Sequence, residues 1–414
     1  MAFHFSRDTK VFMRWHATAD GTDDALYEIP VLDGFSFSQA TNTSEITLNE
    51  AADGSTLNSK RGRAMFNDSF APAEWSFSTY MRPTTSANAN AYVSNGHAGT
   101  SKKFAVEGPL WGAMSATTYA YATVASAAAN TWTAATHEPN TFKFENSNKV
   151  ALGVFDLFFV LGASGDTNTA SYDTGTDGVT VYKITNCSVG SASIDFDIDG
   201  LAQVAWSGQG AIISEVAQLT TTADGAGETS KKGLINEGIG TTSNFIRQKL
   251  TSMTLKYDAA ASTGTDLSGS QAASGYVLTL TGGNITIENN LSYLTPETLG
   301  TVNQPLGHVM GTRTVSGNFT CYLNTVEDGS AELFENIIEG TSQITNAFDM
   351  DFAIGGSGQT PRVDVSIPRA HLELPTHSIE DVISLDVNFH GLPVDMTDNQ
   401  IAAGESEIVI TYES

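Results

Sequence analysis

Short runs in which apolar and polar residues alternate make up much of the chain, and one of these runs occurs twice. Residues 155–165 (FDLFFVLGASG) form an apolar run that ends in glycine and serine. Residues 348–358 (FDMDFAIGGSG) match that run at six of eleven positions, 193 residues later. Apolar runs of this length that end in turn residues are typical of buried strands that enter loops.

Two further pairs of segments repeat in the same order along the chain. Residues 75–81 (WSFSTYM) resemble residues 317–323 (GNFTCYL), and residues 193–202 (SIDFDIDGLA) resemble residues 384–393 (SLDVNFHGLP) at an offset of 191. Three ordered pairs are improbable by chance. The sequence therefore predicts one fold that is duplicated within the chain.

The repeats predict two domains joined by a linker. We expect a first domain at 1–214, a polar and glycine-rich linker at 215–244 and a second domain at 245–414, because 414 residues suffice for two cores. Residues 245–258 restart the second copy and match the opening arm at 3–15. The first copy carries an insertion at about 82–149, where the second has only about 23 residues.

One short helix is expected in each copy. In the second, residues 330–338 (SAELFENII) begin with serine and place apolar residues at helical spacing. In the first, residues 106–111 (VEGPLW) are the best candidate for a helix start.

Composition indicates an all-β class and excludes several functions. The 38 glycines and abundant threonine and serine are typical of strands joined by many turns. A net charge of −26 argues against binding nucleic acid through phosphate contacts. Cys187 and Cys321 are too few for a disulfide framework and are expected to be free thiols packed in strands.

The N-terminal sequence and the apolar runs predict neither secretion nor membrane insertion. The first residues lack the apolar region of a signal peptide, and the most apolar run, 150–163, is too short to span a bilayer. We expect the protein to be made and kept in cytoplasm-like conditions.

Residues 195–200 (DFDIDG) match the start of an EF-hand calcium loop. The twelfth position of that loop should be a bidentate glutamate, but it is Trp206 here. Apolar residues also alternate with the acids, which favours a half-polar strand over a calcium loop.

Catalytic motifs are absent from the sequence, so we predict that the chain is not an enzyme and needs no cofactor or metal. It has no zinc-protease, nucleophile-elbow, Walker A or CxxC pattern. Residues 227–233 (GETSKKG) have the wrong order for a phosphate loop and are better explained as linker. His371 and His377 flank Pro375 without the spacing of metal ligands.

A cluster of basic residues, Lys60, Arg61 and Arg63, ends a polar loop at 51–63. Three interpretations stay open. The cluster could contact an acidic patch on a neighbouring copy of the chain, remain solvated, or contact phosphate. The strongly acidic composition and the lack of interleaved aromatics favour the contact with a neighbouring copy.

The order of elements resembles the tail tube proteins of long-tailed bacteriophages, in the version with the tube fold duplicated in one chain. That order is an arm, strands, a long loop, two more strands, a short helix, then the apolar strand and a closing strand pair, and it covers about 1–214 and 245–414. The resemblance implies two tandem β-sandwich or barrel-like domains, each with a flanking helix. The insertion at 82–149 departs from it.

The same resemblance implies a function and a set of partners. Tube units form six-fold rings that stack into a conduit for genomic DNA, so a chain with two units would form homotrimeric rings. The expected location is the virion, after assembly in the host cytoplasm. The tape-measure, tail terminator and baseplate or tip proteins would be partners, and a contractile sheath is left open. A fold without an active site whose strand edges must be covered also suits a self-assembling protein.

A binding module is the alternative to a tube protein. A two-domain β-sandwich adhesin could use its tryptophans as sugar platforms, namely Trp75, Trp111, Trp132 and Trp206. Their positions in strands or near the helix favour core packing. A hydrolase on a β scaffold is a third possible function, but the sequence shows no set of catalytic residues to support it.

The segment with alternating acids provides candidate lumen-facing residues. Asp195, Asp197 and Asp199 alternate with apolar residues, and in the second copy Asp386 and Asn388 take a similar face. Because unpaired carboxylates are costly to bury, this face must meet water, a partner or the lumen. Alternation does not fix its direction, so the outer surface of the tube is the rival placement.

Overall fold

The structure is a computed structural model, and it describes most of the strands of the chain. The described residues are 5–15, 25–47, 63–86, 102–115, 140–144, 152–162, 171–175, 178–221, 234–235, 239–258, 274–299, 302–339, 347–379, 381–394 and 406–414.

Strands dominate these residues, as the composition predicts. Those in the first part of the chain are β1 Lys10–Trp15, β2 Ala25–Ile29, β3 Ser36–Thr47, β4 Arg63–Tyr80, β5 Pro83–Ser86, β6 Lys102–Ala105, β7 Thr141–Lys143, β8 Phe155–Leu161, β9 Ser171–Asp173, β10 Thr180–Asp197, β11 Gln203–Gly210, β12 Ile213–Val216, β13 Gln218–Thr220 and β14 Leu234–Ile235. Those in the second part are β15 Ser252–Tyr257, β16 Thr279–Glu288, β17 Leu291–Leu294, β18 Gly307–Met310, β19 Thr314–Tyr322, β20 Phe348–Ile354, β21 Arg362–Leu372, β22 Thr376–Ile379, β23 Ile383–Gly391 and β24 Val409–Glu413.

Both predicted helices are present. Helix α1 spans Gly108–Ser115 and is wholly buried, whereas α2, Ser330–Glu339, packs through one face. Ser330, the expected cap residue, is the first residue of α2; its hydroxyl donates to the Tyr322 carbonyl at 2.9 Å and accepts from the Asn324 backbone amide at 2.8 Å. A short 3-10 turn precedes the first strand of each half, at Ser6–Asp8 and at Gln248–Leu250.

One large antiparallel sheet runs through both halves of the chain. Its strand order is β3–β4–β11–β10–β16–β19–β23–β22. The halves meet at the ladder between β10 and β16, where Asp195 lies opposite Asn284. We call these eight strands the main sheet.

Two outer sheets cover the apolar side of the main sheet. The first contains β14, β2, β1, β8, β10 and β12, and the second contains β15, β20, β21, β24 and β7. Strand β10 belongs to both layers, because register shifts near Cys187 and Gly190 turn it from one sheet into the other. Asn186, with φ of 51°, lies at the first of these bends.

Corresponding ladders show how the two halves repeat. In the first half, ladders join β3, β4, β11 and β10 in that order. In the second half, ladders join β16, β19, β23 and β22 in the same order. The pair β1–β8 of the first half has its counterpart in the pair β15–β20 of the second. Lys10 pairs with Val160 as Ser252 pairs with Ala353, which gives offsets of 242 and 193. The sequence matches at 155–165 and 75–81 therefore agree with the structure.

The third sequence match is wrong as a structural equivalence. Residues 193–197 lie in β10, but residues 384–391 lie in β23, whose partners make it the counterpart of β11. Gln203 of β11 corresponds to Ser384 of β23, because they pair with Tyr80 and Tyr322. Asp195 pairs with Gln203 and Ser378 pairs with Ser384, so Ser378 is the structural counterpart of Asp195. Strands β10 and β23 both alternate polar with apolar residues, which makes their sequences look alike.

Described parts of the 82–149 insertion are built into the interior. Strand β7 pairs with β24 near the end of the chain. The indole of Trp111 in α1 donates to the Tyr412 hydroxyl at 2.7 Å, and Lys103 forms an ion pair with Glu413. These parts of the insertion therefore join the first half to the last strand.

Large aromatic side chains fill the core between the layers. Trp75, Trp111 and Trp206 are each at most 2% exposed. Gly208 makes room for Trp75, since a Cβ at this glycine would lie 2.4 Å from the indole ring. Burying side chains of this size is the largest favourable contribution to folding, at about 2–3 kcal/mol each.

Both cysteines are free and buried in strands, as predicted. Cys187 lies in β10 and Cys321 in β19, and burial raises the pKa of both thiols.

Candidate functional site

The side of the main sheet that faces away from the core is polar from one edge to the other. We call it the polar face. Its side chains are Ser36, Ser38, Glu74, Ser76, Ser78, Gln203, Ser207, Ser193, Asp195, Asp197, Asn284, Thr286, Glu288, Ser316, Asn318, Thr320, Asp386, Asn388, His390, Thr376 and Ser378.

Pairing register places a row of amides and acids at one level across this face. Asp195 lies opposite Asn284, Asn284 opposite Asn318, and Asn318 opposite Asn388. The Asn284 amide donates to the Asp195 carboxylate and, at 2.8 Å, to the Ser193 hydroxyl. Asn318 donates to Asp386 at 3.2 Å. These cross-strand bonds hold the carboxylates in fixed positions.

The polar face carries acids and almost no fixed cations. The eight strands contain two lysine or arginine residues: Arg63 at the outer end of β4, and Lys183 in the part of β10 that pairs with β8 and β12 of the first outer sheet. Carboxylates occur on four strands, including Glu74 and Glu288, which the sequence reasoning missed. Such a surface repels polyanions and attracts cations.

Two of the three aspartates at 195–199 lie on one side of strand β10. Asp195 and Asp197 are exposed while their neighbours Ile194 and Phe196 are buried. Strand β10 ends at Asp197, and Ile198 is 48% exposed, so Asp199 lies in the following bend and not in the alternating row.

The second-copy residues share this face but sit on another strand. Asp386 is half-buried and Asn388 is exposed, opposite the buried Leu385, Val387 and Phe389 of β23.

A polar cleft opens on the same face beside the junction of the halves. Its volume is about 460 Å³, and its walls include Ser36, Glu74, Ser191, Gln209 and Glu288. The cleft lies where strands β4, β11 and β10 approach β17, and Trp75 and Leu291 also contribute to its lining.

Hydrogen bonds fix Glu373 near the β22 side of the face. Its carboxylate accepts from the Asn388 amide at 3.0 Å and from the His390 ring at 3.2 Å, and these bonds lower the pKa of Glu373. His371 lies opposite His390 in the ladder, and the ring of His377 packs on Phe334 of α2 at 4.5 Å. Among the described residues, no group of acids, histidines or cysteines has metal-binding geometry.

A long hairpin carries the predicted basic cluster. Strands β3 and β4 extend beyond the core, and Ile46, Met65 and Phe66 near the tip are 44–55% exposed. Arg63 forms an ion pair with Glu45 of the same chain at 3.2 Å. Lys60 and Arg61 lie outside the described residues.

Each edge of the main sheet is an exposed strand. At one edge β3 pairs only with β4, and at the other β22 pairs only with β23 among the described strands. Ile379 in β22 is 78% exposed. Unpaired backbone groups and apolar side chains at an edge favour pairing with another chain.

A buried polar cluster lies between the halves. The Glu107 carboxylate is fully buried, accepts from the Tyr412 hydroxyl and accepts from the Arg82 amide at 3.3 Å. Burial raises the pKa of Glu107 to about 8, although the hydrogen bond from Tyr412 and the charge of Arg82 oppose that rise. Arg82 also donates to the carbonyls of Ile239 and Thr241, at 2.9 and 2.7 Å.

The described tryptophans do not support a sugar-binding surface. Trp75, Trp111 and Trp206 are buried, and the Trp206 indole donates to Thr79 at 2.9 Å. Trp132 lies outside the described residues.

The fold and the polar face define an all-β structural protein with exposed sheet edges, and comparison with known proteins identifies its class. No family model matches the chain. The chain is 28% identical over 398 residues to the tail tube protein pb6 of Escherichia phage T5, an alignment that covers 96% of this chain and 74% of that protein.

The chain is a homologue of that tube protein and is itself a structural component of a phage tail tube. Its place is the virion, its class is not enzymatic, and it functions by oligomerising into the tube. The resemblance read from the sequence is confirmed. In the described part of the chain, no helix is long and apolar enough to cross a membrane.

Proposed function

We propose that three copies of the chain close into one ring of the tube, with the polar face lining the bore. The observation that carries this proposal is the ladder between β10 and β16, which joins the two halves edge to edge. The free edges, β22 and β3, are the counterparts of β10 and β16. The same kind of ladder can therefore join β22 of one chain to β3 of the next and remove both edges.

The correspondence of the halves also gives the register of this seam between chains. Asp195 lies opposite Asn284 within the chain, and their counterparts are Ser378 and Ser36. We expect Ser378 of one chain to lie opposite Ser36 of its neighbour. Three chains would then contribute six tube units and a continuous sheet of 24 strands.

The polar face suits the inner wall of such a ring better than its outside. Its apolar side is already covered by the two outer sheets, so closing the main sheet leaves the polar face towards the axis. Asp195, Asp197 and Asp386 would then present carboxylates to the bore, with Asn388 beside them and Asp199 at the strand end. DNA would pass such a wall without binding, because few fixed cations are there to hold its phosphates.

The basic loop at 51–63 and the β3–β4 hairpin are proposed to contact the next ring. The hairpin extends beyond the core, and its exposed Met65 and Phe66 need a partner surface. Lys60, Arg61 and Arg63 would face carboxylates of a neighbouring copy. Arg63 would then replace its ion pair with Glu45 of its own chain by one with the neighbour.

The domain boundaries and the other tail partners belong to the same proposal. We place the units at 1–214 and 245–414 with a linker at 215–244, whose first residues, to Thr220, pair with strands β10 and β9 of the first unit. Tape-measure, terminator and tip proteins would meet the bore and the two ends of the tube.

Mass measurement of isolated rings, together with the symmetry of a tube reconstruction, tests the proposal. We expect three chains per ring, pseudo-six-fold symmetry and the Asp195 side chain in the lumen. Six chains around one ring, or a polar face on the outside of the tube, would refute it.

A further inference from the structure

The two halves differ in whether one end of the main sheet is covered. In the first half, this end consists of Tyr80 and Met81 of the β4 end and Leu201 and Ala202 before β11. Met81 and Ala202 are at most 1% exposed. A segment at 239–251, which we call the second arm because it precedes the first strand of the second half, covers them.

The second arm is held on the first half by named contacts. The Phe245 ring packs edge-on against Tyr80, with 5.2 Å between the ring centroids. The Ala202 amide donates to the Ile246 carbonyl at 3.0 Å, and Leu201 and Arg247 form an isolated antiparallel β-bridge. The Gln248 side chain donates to the Asp195 carbonyl at 2.6 Å.

In the described part of the chain, no segment covers the corresponding end of the second half, which is apolar. Tyr80 corresponds to Tyr322, Met81 to Leu323, Leu201 to Val382 and Ala202 to Ile383, and a hydrogen bond confirms the correspondence. The Met81 amide donates to the Ala202 carbonyl at 2.9 Å, as the Leu323 amide does to Ile383.

Exposure marks the difference between the two ends. Tyr322 is 40%, Val382 57% and Ile383 37% exposed, and Ile379 beside them is 78% exposed. We call this surface the bare end.

The first arm, residues 1–9, is the counterpart of the second arm. Its 3-10 turn, Ser6–Asp8, lies 242 residues before the turn Gln248–Leu250, the same offset that relates Tyr80 to Tyr322. None of the residues in the first turn is buried, and Phe5 is 55% exposed, whereas Gln248 of the second turn is buried. At this offset Phe3 corresponds to Phe245; Phe3 itself lies outside the described residues.

We infer that the first arm of one chain covers the bare end of the neighbouring chain. This inference rests on the proposed ring, because the chain whose β3 pairs with β22 is also the chain that supplies the arm. Phe3 would then pack on Tyr322 as Phe245 packs on Tyr80, and the backbone near His4 would meet Ile383. The occupant of the bare end is thus a second copy of this chain.

Photo-crosslinking in assembled tubes tests the inference. A benzophenone side chain at Tyr322, in tubes built from a mixture of light and isotopically heavy chains, should crosslink to residues 1–8 of a different chain. The matched control is the same group at Tyr80, which should crosslink within one chain to the segment around Phe245, even in the monomer. Crosslinks from Tyr322 to another segment, or to the arm of its own chain, overturn the inference.

A substitution pair supplies a second measurement. Phe3→Ala should slow ring assembly at least about tenfold, as loss of an aromatic interface anchor usually does, and leave the Tm of the monomer unchanged. Phe245→Ala, its counterpart within the chain, should lower the Tm of the monomer. Normal assembly by Phe3→Ala contradicts the inference. Rings that do not contain three chains contradict the proposed ring whatever the crosslinks show.

Discussion

At the scale of single residues, the buried Glu107 carboxyl is the most consequential group. It lies among Arg82, Tyr412 and Trp111, between the end of β4, helix α1 and the last strand. Burial disfavours the charged form of this acid more strongly than Tyr412 and Arg82 favour it, which is why its pKa rises to about 8 from 4.5. No local motif surrounds Glu107 in the sequence, so only the tertiary contacts reveal it.

Replacing Glu107 by glutamine should flatten the pH dependence of stability. A carboxyl whose pKa is raised by folding stabilises the native state fully below its unfolded pKa, here 4.5, and that contribution is lost as pH rises through about 8. Urea unfolding at pH 5 and pH 8.5 measures the effect. The wild type should lose a larger part of its free energy of unfolding over this interval than Glu107→Gln does. Equal losses in the two proteins would show that Glu107 does not titrate in this range.

The acids of the polar face give a second prediction at this scale. Asp195→Lys combined with Asp197→Lys should leave tubes intact, since both side chains are exposed, but should retain DNA in the bore and slow its ejection. The matched control is Glu215→Lys with Asp351→Lys, which changes the charge equally at exposed positions of the outer sheets. DNA release from particles is the measurement. Equal release by both double variants would contradict a lumenal polar face.

At the scale of elements, the sequence predicted most strands and both helices but not their arrangement. Repeated runs such as 155–165 identified the duplication because offset and order survive divergence. The match of 193–202 to 384–393 failed because β10 and β23 both alternate polar with apolar residues, and local alternation does not determine which neighbours a strand has. The division of β10 between two layers depends on bends near Cys187 and Gly190 that no motif marks.

Most of the polar face was equally hidden from sequence reasoning. Alternation identified Asp195 and Asp197 as sharing a side, but the row formed with Asn284 and Asn318 requires the ladder between the halves. Serines and asparagines scattered over eight strands carry no pattern until the register aligns them.

The β3–β4 hairpin provides the prediction at this scale. Reversing the charge of the basic cluster, with Lys60→Glu, Arg61→Glu and Arg63→Glu, should block growth of the tube while single chains stay folded, because Arg63 is exposed at the start of β4, at the end of the hairpin that lies away from the core. The charge-conserving variant Lys60→Arg, Arg61→Lys and Arg63→Lys is the control and should grow normally. Electron microscopy counts the tubes, and circular dichroism checks the fold. Normal tubes from the charge-reversed variant would argue against a contact through these residues.

At the scale of the whole molecule, the same kind of β-ladder joins the two units inside the chain and, in the proposed ring, joins neighbouring chains. The ladder between β10 and β16 is already made inside every chain, and the proposed ladder between β22 and β3 must be made between chains. The insertion at 82–149 stabilises the junction inside the chain, since β7 and helix α1 contact the last strand, β24. If the proposed ring forms, half of its junctions between units are already made inside the chains before assembly.

The internal ladder has a kinetic consequence. In the proposed ring, separate single units would require six bodies to meet, whereas the duplicated chain would require three, so the start of assembly should depend less steeply on concentration. A chain cut within residues 222–230 by an introduced protease site offers a test, provided that the two pieces are first separated and then mixed. The separated pieces should show a longer lag with a steeper concentration dependence than the intact chain, because the tether supplies a high effective concentration at no cost in contacts. Tethering the two units would thus let tube assembly begin at protein concentrations too dilute for single units, early in the production of new particles.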